Sequence, residues 1–215
     1  MNTDKKIPPE VKKLFIERLI SQGITNKKLL NVISSIPRHL FVESALSRRA
    51  YDDDALPIGY GQTISSPYIV GKMTQLLIED DSMNNVLEIG TGCGYQTAIL
   101  SLLFKKVTTI ERIEKLQTKT KKLLSSFGLK NIKYIHADGH HGYKINQPYD
   151  AIIMTASPIE IPDDLIRQLG ITGRMVLPLN DKGSQKLFRL KNTKNGILKK
   201  EVDDVKFVPM IKGIA

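Results

Sequence analysis

The spacing of apolar positions changes character along this chain. Over residues 9–22, Val11, Leu14, Phe15 and Leu19 recur at helical spacing behind Pro8 and Pro9. That predicts a first helix with these four on its inner face. Thr25 is placed to cap a second helix carrying Leu29, Val32, Ile33 and Ile36, and Pro37 should end it. From Tyr51 to Pro67 the periodicity dissolves into a stretch punctuated by proline and glycine. It is too long for a simple connection, which marks it as a functional loop. Helical spacing returns over 68–79, with Ile69, Met73, Leu76 and Leu77 inward.

From Asn85 onward short apolar runs alternate with amphipathic ones. Strands are predicted at 86–89, 107–110, 132–136, 151–154 and 175–179, with helices at 95–104, 112–127 and 163–169. Gly128 sits where a helix C-cap glycine belongs. Residues 151–154 are wholly apolar, as expected of a central parallel strand. The last thirty residues predict two more strands, 186–190 and 205–211, as an antiparallel edge. Alternating strand and helix imply an α/β, doubly wound sheet with an N-terminal helical extension. The expected division is 1–80 for the helices and loop and 81–215 for the core, packed as one compact unit.

Composition narrows the setting. The 215 residues suffice for one α/β domain, and 41% apolar with 25% charged residues excludes general disorder. Cys93 is the only cysteine, so no disulfide forms within the chain and a reducing compartment is the natural setting. Met1–Lys6 lacks the apolar run of a signal peptide, and no stretch approaches the roughly 18 apolar residues of a membrane span. Both favour the cytoplasm, without a membrane partner. The net charge of +10 would attract nucleic acid or acidic peptides. Its basic residues come as scattered doublets interleaved with acids, however, and specific nucleic-acid binding is only weakly suggested.

Chemistry concentrates after the first predicted core strand, in Glu88-Ile89-Gly90-Thr91-Gly92-Cys93-Gly94. Alternating glycines allow a tight turn and bring a ligand against bare backbone beside a helix N-terminus. The spacing is G-x-G-x-G, and Tyr95 occupies the place of the third glycine of a dinucleotide fingerprint, which therefore fails. Glu111 ends the next strand about twenty residues downstream, where a carboxylate suits two ribose hydroxyls. Asp138, in Ala137-Asp138-Gly139, could accept from the exocyclic amine of an adenine. The bland alternative for Glu111 is a solvated strand end, and for Glu88 that alternative is stronger.

Val86–Gly94 resembles the first motif of the S-adenosylmethionine-dependent methyltransferases. The resemblance implies a Rossmann-like seven-stranded methyltransferase sheet whose last strand is antiparallel. It also implies S-adenosyl-L-methionine as cofactor, with S-adenosyl-L-homocysteine as product, held by Ile64, Glu88, Gly90, Thr91, Gly92, Gly94, Glu111, Arg112, Asp138 and Gly139. The fourth strand ends in Met154-Thr155-Ala156-Ser157-Pro158, without the D/N-P-P-Y/F sequence typical of enzymes that methylate base amines.

The stretch Tyr51–Tyr68, with Gly61-Gln62-Thr63-Ile64-Ser65-Ser66-Pro67 at its centre, resembles the signature of the protein-L-isoaspartate O-methyltransferases. Ile36-Pro37-Arg38, Tyr95-Gln96-Thr97-Ala98, Ile110-Glu111-Arg112, Tyr149-Asp150-Ala151-Ile152 and Phe207-Val208-Pro209 extend the match over essentially the whole chain. Cys93, Gly71, Ala137 and His140 depart from the usual pattern. The resemblance implies methylation of the free α-carboxylate of L-isoaspartyl residues in damaged proteins and peptides; a monomer is expected, although no residue pattern speaks to oligomeric state. Ser65 would be the active-site residue, and Gln62, Thr63, Ser65 and Pro67 would meet the substrate.

A carboxylate with a pKa near ~4 is already ionised at neutral pH and needs no general base. Ser65 should then aim the carboxylate as a hydrogen-bond donor, not attack as a nucleophile. Its bland alternative is a turn or helix cap before Pro67. A metal site is not expected, since His140-His141 lacks ligand spacing and the chemistry needs none. Two competing readings are a methyltransferase acting on a small-molecule carboxylate or RNA base, and a methyltransferase-like binding module.

Overall fold

A computed structural model describes residues 7–78, 84–181 and 183–215. Helix α1 (Pro9–Ser21) opens on its prolines and buries Phe15 and Leu19, while Leu14 is 63% exposed and Val11 half-buried. The expected four-residue inner face narrows to an i, i+4 pair because α1 lies on the surface and touches the core along one stripe. Helix α2 (Lys27–Ser35) is capped by Asn26, whose side chain accepts from Leu29 N at 2.9 Å. Thr25 is not the cap; its N–H donates to Gln75 Oε1 instead.

The aperiodic stretch contains a small antiparallel ribbon, β1 (Leu56–Gly59) and β2 (Gln62–Ile64). Its turn needs positive φ at both Tyr60 and Gly61. Helix α3 (Pro67–Leu77) follows, with Met73 and Leu77 buried and Ile69 and Leu76 half-buried. The expected end at residue 79 lies outside the described residues. Gly71 is accounted for in α3 by close contact: a Cβ there would lie 3.2 Å from the side chain of fully buried Ile24.

The main sheet has seven strands in the order β5-β4-β3-β6-β7-β8-β9. These are β3 (Asn85–Ile89), β4 (Lys106–Glu111), β5 (Ile132–His136), β6 (Tyr149–Met154), β7 (Leu169–Asp181), β8 (Ser184–Thr193) and β9 (Gly196–Asp204). The first five run parallel; β8 runs against them and β9 against β8. The reversed strand is β8 and not, as expected, the last one, because two successive tight hairpins reverse the chain twice and return β9 to the direction of the first five. Helices α4 (Tyr95–Leu103), α5 (Glu114–Ser125) and α6 (Asp163–Gln168) supply the crossovers. Alternating strand residues face α3 and α4 on one side (Val86, Val107, Ile153) and α6 on the other (Leu87, Ile110, Ile152). The doubly wound expectation is met.

Two boundaries differ from expectation for identifiable reasons. Helix α5 starts at Glu114, not 112, because the Glu111 carboxylate accepts from Ile113 N and the Arg112 carbonyl from Ala215 N. Residues 205–211 are not the edge strand. That place belongs to β9, which follows a hairpin marked by Asn195-Gly196, a strong hairpin signal. Residues 205–211 leave the sheet and cross the carboxyl ends of its strands. There Ser157 N donates to Val208 O at 2.9 Å and Met210 N to Ser157 O at 2.8 Å.

The core is continuous across residue 80. Phe15, Leu19, Leu29 and Ile33 pack in one cluster with Tyr95, Ile99, Leu116 and Leu124.

Candidate active site

Pairing of Ile89 with both Ile110 and Met154 ends β3, β4 and β6 at one level. The chain emerging from β3 must turn there at once. Gly90, Gly92 and Gly94 take φ of +96°, +54° and +87°. A Cβ on Gly90 would overlap the Thr155 hydroxyl, which donates to Gly90 O at 2.7 Å. A Cβ on Gly94 would come within 2.5 Å of Thr120 Cγ2, while the Thr120 hydroxyl donates to Gly92 O at 2.6 Å. The turn is thus crimped between the end of β6 and α5, and its backbone conformation admits little but glycine.

This turn borders a cleft that Glu111, Arg112 and Gly139 also line, together with the apolar side chains of Ile89, Ile110, Ile113 and Met210. Glu111 is only 5% exposed. One of its oxygens accepts from Gly92 N at 2.9 Å and the other from Ile113 N at 3.0 Å. A carboxylate has about four lone-pair sites, so two remain for a diol. Bare backbone, an apolar slot and a carboxylate with spare acceptors fit a nucleoside cofactor. Gly139 fits the same picture, since a Cβ there would press on Ile89 at 2.5 Å.

The same cleft is lined by Gln62, Thr63, Ile64 and Ser65. Ser66, not Ser65, caps α3, accepting from Ile69 N at 3.4 Å. The Ser65 hydroxyl has no hydrogen-bond partner among the described residues, so the capping alternative falls to its neighbour. The Ser65 carbonyl is held by Arg38 Nη2 at 2.7 Å.

Four of the expected contacts lie outside this lining. Pro67 is buried as the first residue of α3. Gly94 sits behind the turn, against α5. Glu88 is fully buried beneath the turn, where Oε2 accepts from Thr97 at 2.5 Å and Thr109 at 2.6 Å. Thr109 in turn meets the Thr91 hydroxyl at 2.7 Å. Glu88 therefore braces the turn from below, and burial pushes its carboxyl up to about 8.

Asp138 is also occupied. Oδ2 accepts from Gly213 N at 2.7 Å, and Oδ1 from both the backbone and the ring of His140. Partial burial alone would raise it, but these bonds outweigh burial and hold it at about 2. The unusual His140 thus pins the acid it follows.

Several lining residues carry no mark in the sequence pattern. Thr155 and Ala156 lie against the cleft because they leave the end of β6, and Val208 and Pro209 because the tail crosses it. The Phe207-Val208-Pro209 match is the signal for that crossing, although hydrophobic pattern alone favours a strand there. Tyr95 also lines the cleft, so it is more than the residue that breaks the dinucleotide fingerprint. The Cys93 thiol borders the site as well, and burial pushes it up to about 11, leaving it a neutral packing group.

Among the described residues no three His, Cys, Asp or Glu side chains gather as metal ligands, and no helix is long and apolar enough to cross a membrane.

Comparison with known proteins gives the family and the fold. Residues 10–215 match the family profile described as protein-L-isoaspartate(D-aspartate) O-methyltransferase. A protein-L-isoaspartate O-methyltransferase of Nitrosomonas eutropha is 48% identical over 207 residues, covering 95% of this chain and 93% of that one. One of Pseudomonas aeruginosa (strain LESB58) is 44% identical over 199 residues, covering 93% and 94%. A solved protein-L-isoaspartate O-methyltransferase superposes with a TM-score of 0.84 at 26% identity, covering 92% of this chain and 65% of that longer one. A Plasmodium falciparum structure in complex with S-adenosyl-L-homocysteine shares the fold, with a TM-score of 0.79 at 24% identity, covering 93% and 98%. The chain belongs to the protein-L-isoaspartate(D-aspartate) O-methyltransferase family.

Proposed function

We propose that this protein transfers a methyl group from S-adenosyl-L-methionine to the free α-carboxylate of L-isoaspartyl residues in damaged proteins and peptides. The observation that carries this reading is one cleft lined by two chemically distinct groups of residues. Glu111 and the glycine turn form one group, and the segment with the uncommitted Ser65 hydroxyl forms the other. The names of the curated relatives support the acceptor. The methyl ester formed would collapse to a succinimide without the enzyme, and hydrolysis would return part of it to aspartate.

When bound, the cofactor supplies a sulfonium methyl group as the electrophile. Glu111 accepts from the ribose hydroxyls with its two spare lone pairs. Gly90, Thr91, Gly92 and Gly139 offer close backbone approach, and Ile64 and Arg112 line the same cleft. Ser65 donates to one oxygen of the acceptor carboxylate and aims the other, while Gln62 and Thr63 flank the peptide. No residue need remove a proton, because the nucleophile is already an anion. Attack neutralises charge, so the apolar walls favour it by excluding water. Glu88 and Gly94 act by holding the turn, and Pro67 by starting α3. Asp138 reaches an adenine amine only by sharing lone pairs now used by the tail and His140.

The continuous core supports residues 1–80 and 81–215 working as one unit. The lone, half-buried Cys93 supports a reducing cytoplasmic setting.

Labelled cofactor with an isoaspartyl peptide and its aspartyl twin tests the reading. Label is expected in the isoaspartyl form alone. Equal labelling, or none in either, would redirect the search to small carboxylates, an RNA base or a binding role.

A further inference from the structure

Arg38 is fully buried, and among the described residues it forms no ion pair. Its Nε donates to Ala50 O and its Nη2 to Ser65 O, both at 2.7 Å. The guanidinium carbon lies 4.8 Å from the ring centre of Tyr95, a residue that opens α4 directly after the glycine turn. Nη1 has no hydrogen-bond partner. Burial lowers the guanidinium below its ordinary value, opposed chiefly by nearby Tyr95.

For stability alone this is a poor arrangement. Burying a cation with Asp53 near it but no carboxylate in salt-bridge contact is costly, and an apolar side chain of the same volume is often as good or better. An arginine does offer something an apolar side chain lacks. Its rigid fork bonds two carbonyls fifteen residues apart while its flat face rests on an aromatic ring. A lysine, as a single hydrated point charge, does one of these at a time.

We propose that Arg38 is a positioning residue for methyl transfer: it ties the backbone of Ser65 to Ala50 and to Tyr95, and so fixes the acceptor segment relative to the cofactor turn. Arg38 touches neither reactant and acts through Ser65, so the proposal rests on Ser65 facing the acceptor. Removing the tie should leave cofactor binding intact and misaim the acceptor, a loss that shows in kcat because alignment is needed only during transfer.

The test uses Arg38→Met and Arg38→Lys in the full chain. Arg38→Met is expected to bind S-adenosyl-L-homocysteine within threefold of the parent. Its kcat on the isoaspartyl peptide should fall about 100-fold with KM changed less than threefold, and Arg38→Lys should recover at most a tenth of the parent rate. In a Ser65→Ala background the same change should cost less than threefold more, since interacting residues are not additive. Unchanged kcat, or the full loss persisting without the Ser65 hydroxyl, overturns the proposal.

Hydrogen exchange at amides 62–66 gives a readout independent of the acceptor. It should quicken at least tenfold in Arg38→Met while β3 and β4 stay as protected as before; no change there also overturns it. Should Arg38→Met fail to fold, Arg38→Lys carries the same measurements, read in the same way. A parent enzyme that leaves the peptide unmethylated sinks the acceptor reading, and the exchange result still decides Arg38.

Discussion

The two groups of residues that line the cleft are built by different means. The cofactor group is made of backbone: three glycines at positive φ, crimped by Thr155 and Thr120, with Glu111 tied to the turn it serves. The acceptor segment is a three-residue strand paired with β1, followed by a short link that side chains hold. Arg38 grips Ser65 O, and Asp53 accepts from Tyr68 N at 2.9 Å. Backbone so constrained has one conformation, whereas a segment held by side-chain bonds can be loosened at one bond. Affinity should therefore be sensitive at the first group and alignment at the second.

The largest expected break comes from Ser65→Ala. Turnover should fall about 100- to 1000-fold, the usual cost of one donor placed on a reacting oxygen. Calorimetry with S-adenosyl-L-homocysteine should show affinity nearly unchanged. Parent-like turnover would remove Ser65 from the reaction. Glu111→Ala should give the opposite pattern. Two charge-assisted hydrogen bonds to the ribose are lost, and affinity should drop about 30- to 100-fold. The same titration returning the parent value would end the ribose role.

Glu88 sharpens the picture from beneath the turn. Between its ordinary value of 4.5 and about 8 it is neutral when folded and ionised when unfolded. Folding takes up a proton in that window, so stability is fully present below pH 4.5 and declines as pH rises towards 8. A one-unit shift is worth about 1.4 kcal/mol, and relaxation around the ionised group returns part of it. Glu88→Gln should therefore flatten the decline by about 2 kcal/mol in denaturant melts compared at pH 5 and pH 8. Parallel pH profiles for the two proteins would contradict a buried, neutral Glu88.

The smallest effect belongs to Ser66→Ala, next to the most damaging site. Its long cap bond to Ile69 N is worth about 0.5 kcal/mol, a loss of one or two degrees in melting temperature. Turnover should stay within twofold. A loss rivalling that of Ser65→Ala would mean that the roles of the two serines are reversed.

The contrast also explains what is legible in the sequence. Gly90, Gly92, Gly94 and Glu111 stand out because a turn after a strand leaves local marks, glycines at set spacing and an acid one strand later. The alternation after Asn85 gives away the parallel half of the sheet for a similar reason: period and length are local properties. Glu88 is misplaced by sequence pattern because strand register alone decides whether a strand-end acid points into a cleft or beneath it. Asp138 cannot be seen to hold Gly213, since that bond spans 75 residues. The edge strand β9 is a different case, because Asn195-Gly196 marks its hairpin in plain sight. Arg38 lies in a matched segment, but no pattern within residues 36–38 shows that its partners are Ala50 and Ser65.

The tail has a consequence for how the cleft is closed. Residues 208–211 wall the cleft, and the segment beyond them is tied to Arg112, Glu114 and Asp138. The cleft is thus closed by chain that lies far beyond the glycine turn in sequence, so a chain cut before Val208 would keep Gly90, Gly92 and Glu111 but lose the wall that Val208, Pro209, Met210 and Ile211 supply.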